Sequence, residues 1–140
     1  MSFRWGVVMG AEGSDIAQVV PTFLAGHEGK PVTATFSYRA DDPFAVVASF
    51  VAGGVEIAWT FARELLRSGL SSATGEGDVL VAPGALGEIV LTLRSPDGAA
   101  QLRCDRASVQ SFLDRSYERV PSGAENSEVA VDSFLAELAL

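Results

Sequence analysis

The sequence predicts an α+β domain: antiparallel β-sheet, closed or barrel-like, of about seven strands with flanking helices. Three observations carry that prediction. Apolar residues alternate with period two in short segments between residues 17 and 104. Every link between successive segments is short, and short links join antiparallel neighbours, because a parallel crossover needs a dozen or more residues. The spacing then turns helical at Ala62–Ser68 and again after Asp105.

Ala17–Leu24 opens the series, with Pro21 marking it as an edge strand or the site of a bulge. In Val32–Tyr38, Val32, Ala34, Phe36 and Tyr38 share one face and Thr33, Thr35 and Ser37 the other. Asp41-Asp42-Pro43 breaks the chain. Phe44–Val51 is apolar on both faces and is expected to be covered on both sides. Gly53-Gly54 makes a two-residue hairpin turn, since glycine accepts the positive φ required. Val55, Ile57, Trp59 and Phe61 then form one apolar face of the next strand. In the helix Ala62–Ser68, Leu65 and Leu66 point inward and Arg63, Glu64 and Arg67 outward, with Gly69 ending it in the left-handed conformation.

Strands resume at Asp78–Ala82, Glu88–Arg94 and Ala99–Cys104, the last two joined by the turn Ser95-Pro96-Asp97-Gly98. Asp105 caps a helix whose inward positions are Val109, Phe112, Leu113, Ser116 and Tyr117, limited by Pro121. An extended piece with Val129 and Val131 follows. Asp132 caps a last helix with Phe134, Leu135 and Leu138 inward. No low-complexity linker divides the 140 residues, so residues 15–140 read as one domain behind a flexible leader, residues 1–14.

Composition narrows the class. Eighteen Asp and Glu stand against ten Lys and Arg, a net charge of −8, while 48% of residues are hydrophobic. Counting glycine as apolar takes the share above the usual ~45–50%, which excludes a disordered chain and implies surface buried in an oligomer. The longest uncharged run, residues 43–55, is too short for the ~20 residues of a membrane helix. Trp5–Ala11 is a minimal apolar stretch without a small-x-small cleavage site, so no signal peptide is assigned. Acidity opposes nucleic acid, because phosphate binding rests on clustered cations. Arg103, Arg106, Arg115 and Arg119 come nearest to a cluster and are diluted by Asp105, Asp114 and Glu118.

Groups for catalysis are sparse, and the chain reads as no enzyme. His27, the one histidine, sits in the glycine-flanked turn Gly26-His27-Glu28-Gly29 and reads as a solvated turn residue. Cys104 shares a strand face with Ala100 and Leu102 and reads as a buried inert thiol; as the only cysteine it can form no intramolecular disulfide. Asp41-Asp42 reads as a solvated turn before a proline rather than a metal corner. Thr74-Gly75-Glu76-Gly77-Asp78 lacks the lysine of a phosphate loop, precedes a strand, and reads as a turn. No catalytic, cofactor-binding or metal residue is nominated, no cofactor is expected, and partner-binding residues stay unassigned.

Several segments, taken together, resemble the SsgA-like sporulation and cell-division proteins of actinomycetes. They are Ala40-Asp41-Asp42-Pro43-Phe44-Ala45-Val46, Trp59-Thr60-Phe61-Ala62-Arg63-Glu64-Leu65-Leu66 with Gly69-Leu70, and Thr74-Gly75-Glu76-Gly77-Asp78-Val79. Leu93-Arg94-Ser95-Pro96-Asp97-Gly98, Ser111-Phe112-Leu113 and Val120-Pro121-Ser122-Gly123 continue the series, in family order, over about residues 15–140. The resemblance, strongest to the SsgB type, implies a cytoplasmic, non-enzymatic regulator concentrated at the division septum. It implies as partners the tubulin-like division protein FtsZ, whose assembly it would position or promote, and an SsgA-type paralogue. It also implies a Whirly-like fold and a homotrimer, with no membrane insertion. The alternative is single-stranded nucleic-acid binding on such a fold, with Trp59 and Phe61 as base-stacking rings.

Overall fold

The computed structural model describes residues 2–5 and 13–125. Nine strands form one antiparallel sheet: β1 (Ser2–Trp5), β2 (Ile16–Leu24), β3 (Pro31–Tyr38), β4 (Ala45–Ala52), β5 (Val55–Ala62), β6 (Thr74–Glu76), β7 (Val79–Pro83), β8 (Glu88–Ser95) and β9 (Gly98–Asp105). Two helices, α1 (Arg63–Gly69) and α2 (Arg106–Arg119), follow β5 and β9. The strand order is β1-β5-β4-β3-β2-β9-β8-β7-β6. The chain therefore runs through five strands and a helix, then four strands and a helix; without the short β1, the two halves each hold four strands and a helix. All seven strands expected from alternation are present. Two were not foreseen. Thr74-Gly75-Glu76, read as a turn, pairs with β7, and the turn is confined to residues 77–78, where Gly77 has φ +64°. Within the stretch read as a leader, Ser2–Trp5 pair with Thr60–Ile57 of β5. The expected elements at Val129, Val131, Asp132, Phe134, Leu135 and Leu138 lie outside the described residues.

Each half-sheet is covered by the helix of the other. α1 leaves β5 and packs on β6 and β7, while α2 leaves β9 and packs chiefly on β2. Neither half buries its inner face alone, and one continuous core results. In it Phe36 meets Phe50 and Phe112 edge to face, with centroids 6.3 and 5.8 Å apart. The α1 crossing explains Gly69. The helix does not end in the left-handed conformation, for Gly69 is not among the residues of positive φ and Leu70 follows at φ −68°. Instead β7 approaches so closely that a Cβ on Gly69 would lie 2.3 Å from Val81 Cγ1.

Pro21 also has a local reason. β2 is no edge strand, since β3 and β9 flank it, but the β9 ladder covers only Thr22–Leu24. Ala25 donates its N–H to Gln101 O, and backbone groups alternate sides along a strand. Phe23, Pro21, Val19 and Ala17 thus direct theirs to the β9 side. The missing N–H of Pro21 falls where that ladder has ended. The open edge is met by α2, from which Arg115 donates to Ala17 O at 3.5 Å and Ser108 O accepts from Gln18 Nε2 at 3.1 Å.

Turns and caps follow the sequence more directly. Gly53 and Gly54 have φ +57° and +78° between β4 and β5. Asp105 caps α2, accepting from Ser108 N at 3.0 Å. Gly69→Ala should cost about 3 kcal/mol, because Val81 and its backbone must move. Asp105→Ala, which removes one cap, should cost about 1 kcal/mol. Urea denaturation followed by circular dichroism separates the two. A Gly69→Ala variant that unfolds at the wild-type midpoint would contradict the α1–β7 packing.

Candidate interaction surface

The outward positions of β2–β5 come from odd residues on β2 to β4 and even ones on β5, as the register requires. On β2 they are Ala17, Val19, Pro21 and Phe23, all exposed. β3 adds Pro31, Thr33, Thr35 and Ser37, β4 adds Ala45, Val47, Ser49 and Val51, and β5 adds Glu56, Ala58, Thr60 and Ala62. Glu56 is the one charge among them, in a chain of net charge −8. Val19 is 65% and Phe23 44% exposed, and Val51 and Val55 stand open at the same end. Phe44–Val51 was expected to be covered on both faces. Instead β4 begins at Ala45, Phe44 is half exposed, and Val47 and Ser49 are only half-buried. Both helices pack on the inner side, which leaves this side of β4 without a described element over it.

Arg63 governs one end of this surface. Expected to point outward, it is 1% exposed and the largest fully buried side chain among the described residues. Its guanidinium lies 3.9 Å from the Tyr117 ring centroid and 4.8 Å from that of Tyr38. Nη1 donates to Ser116 O at 2.9 Å and Nη2 to Glu125 Oε2 at 2.9 Å, while Nε is buried without a partner. An arginine opening a helix opposes that helix's dipole. Here the charge sits instead at the carbonyl end of α2, where a cation is favoured. The turn Val120-Pro121-Ser122-Gly123 returns Glu125 to it. Ala124 N donates to Pro121 O, and Gly123, at φ +90°, donates to Glu125 Oε1 at 2.7 Å. Tyr38 OH donates to Pro43 O and Arg63 N to Phe44 O, so the half-exposed Phe44 is held beside this cluster. Burial, opposed by the nearby Arg63, pushes the Tyr38 hydroxyl up to about 12.

The residues weighed for chemistry do not converge. His27 is exposed in the β2–β3 turn. Cys104 is fully buried, with Thr22 Oγ1 3.6 Å from Sγ, and burial pushes its thiol up to about 11. At neutral pH it is therefore not a nucleophilic thiolate. Asp41 is engaged by Arg39 through two bonds of 2.9 and 2.6 Å. Among the described residues no three of His, Cys, Asp and Glu gather as a metal set would require. Trp59 and Phe61, named as base-stacking rings, are 3% and 2% exposed and belong to the core. Four arginines of the described residues, Arg39, Arg63, Arg67 and Arg103, face carboxylates rather than forming a basic track. No described helix is long and apolar enough to cross a membrane.

The Glu125 carboxyl is held below its usual range, first by its own backbone N–H and then, against its partial burial, by Arg63 and the Gly123 N–H. A depressed folded-state pKa gives stability above the unfolded value near 4.5 and loses it as pH falls through the folded value. Glu125→Gln should therefore be less stable than wild type at about pH 6, with the gap closing by about pH 3. Urea midpoints across that range test this. A gap that stays constant with pH would remove the ion pair from the account.

Residues 32–125 match the family described as the Streptomyces sporulation and cell division protein SsgA. The sporulation-specific cell division protein SsgB of Kineococcus radiotolerans is 43% identical over 115 residues, 79% of this chain and 70% of the relative. That of Streptomyces coelicolor is 39% identical over 119 residues, 82% of this chain and 87% of the relative. The crystal structure of an SsgA-like sporulation-specific cell division protein from Thermobifida fusca superposes with a TM-score of 0.78 at 35% identity, covering 92% of this chain and 98% of that one. The matched span runs from the second residue of β3 to Glu125, and so includes both helices, the Arg63 cluster and three of the four strands of the outer face β2–β5. With a family match over most of its length and a shared fold, the chain belongs to the SsgA family of sporulation and cell division proteins.

Proposed function

We propose that this protein serves sporulation-specific cell division as a non-enzymatic adaptor in the cytoplasm at the septum. It binds FtsZ there and promotes or positions its assembly, alongside an SsgA-type paralogue. One observation carries the reading: an outer face on β2–β5 whose one charge is Glu56, with Val19, Phe23 and Val51 open, on a strongly acidic chain. Both partners are expected to be acidic, so bulk attraction cannot hold them together, and contact must come from a local apolar patch. The twofold repetition of four antiparallel strands and a helix supports a Whirly-like arrangement, which we read as the protomer of a trimer.

Pelleting of FtsZ polymer tests this, with the protein's mass first read by light scattering and expected at that of three protomers. Wild type should sediment with the polymer and raise its mass. Phe23→Glu with Val19→Glu should weaken that association by roughly tenfold or more, since two central apolar contacts become desolvated charges. No co-sedimentation of wild type, or equal sedimentation of the folded double variant, would contradict the proposal.

A further inference from the structure

We propose that the open cleft between the β2–β3 turn and the ends of β8 and β9 receives a carboxylate of an acidic peptide segment. The cleft has a volume of about 560 Å³. Arg94 and His27 line it, with Thr92, Gln101, Ala25 and Ala99, and Arg94 also borders the adjoining cleft beside Gly77. It contains no acid, whereas the clefts beside Trp59 and beside Gly77 hold Asp97 and Asp78.

Arg94 differs from the other β-sheet arginine on this half. Arg103 is spent on Glu88 and Glu28, at 3.0 and 3.4 Å. Arg94 is exposed and has no ion pair among the described residues, while its backbone N–H is fixed to Asp78 O at 2.9 Å. The guanidinium thus stands on a rigid strand end with its donors unspent. Gln101 directs one amide hydrogen to Thr92 Oγ1 at 3.5 Å, leaving the other, and the Thr92 hydroxyl hydrogen, available.

One permanent cation flanked by neutral donors matches a single negative charge. The guanidinium fork suits a carboxylate, and the donors beside it satisfy the remaining lone pairs. A polyanion fits poorly. Nucleic acid needs several cations to displace its counterions, and the −8 charge of the chain repels it. A peptide with one aspartate places a single carboxylate in the cleft and brings no further charge against the acidic chain. By register the cleft continues the outward side of the sheet past Phe23, through Gln101 and Thr92, and its test reads Arg94 and a free peptide, so its failure is distinguishable from a failure of FtsZ binding at Val19 and Phe23.

Fluorescence anisotropy at low salt with a labelled, end-blocked peptide of Ala and Ser carrying one Asp tests the proposal. Wild type should bind it saturably and leave the Asn counterpart unbound. Arg94→Ala should weaken binding roughly tenfold or more. Arg39→Ala, which changes net charge equally at the other end of the sheet, should leave it unchanged, and thermal unfolding confirms that both variants fold. Absence of saturable wild-type binding, equal loss in the two variants, or tighter binding of a labelled oligothymidylate than of the peptide would each overturn it.

Discussion

The fold turns on a buried guanidinium. Arg63 opens α1, yet its charge lies between the rings of Tyr38 and Tyr117 and against the last turn of α2. Burying such a group costs several kcal/mol unless its donors are matched. Two of the three nitrogens have partners, in Ser116 O and Glu125, and the ring faces supply further electrostatic compensation. The same cluster joins β3, both helices and the turn after Pro121. Removing the arginine would take the ion pair from Glu125 Oε2 and leave two tyrosine rings without their filling.

What this clamp fixes is where the helices lie. With α1 held on the strands of the second half and α2 on β2, both cover the inner side. The outer side of β2–β5 has to be stable without a described helix over it, and its residues suit that task. Thr and Val favour pleated sheet, and Glu56 is the one charge among the outward positions. The acidity of the chain is carried by turns such as Asp41-Asp42, Asp78 and Asp97, while each helix holds one more arginine than acids and the outer face of β8 and β9 balances Glu88 and Asp105 against Arg94 and Arg103. A face this free of charge on a chain of −8 gives physical form to the apolar surplus of the composition. The protein belongs to a family of sporulation and cell division proteins, and a surface rather than a catalytic cluster is what its described residues present.

Much of the fold was legible because alternation, glycine turns and the Asp105 cap act locally. Gly53-Gly54 and Ser95–Gly98 could be read for the same reason: their backbone demands are met within a few residues. Arg63 could not. A seven-residue helix makes too few turns for periodicity to fix which face is inward, and the groups that accept this arginine lie more than fifty residues downstream. Gly69 was assigned the commoner role of a helix end, because its contact with Val81 exists only once the second half packs on the first. β6 escaped because a strand with glycine at its centre carries little pattern. One row of the outer face was visible as Thr33, Thr35 and Ser37 alternating with the core. That it stays open along β4 depended on where the helices settle, and a single sequence does not encode that locally.

Hydroxyl-radical footprinting of the protein alone and bound to FtsZ polymer tests most directly whether the outer face of β2–β5 is the docking surface. It reads side chains rather than sheet hydrogen bonds. Labelling of Val19, Phe23 and Val51 should fall in the complex, while that of Leu86, fully exposed between β7 and β8, should not change. Bound protein with undiminished labelling of Phe23, or protection centred on Leu86, would contradict the account.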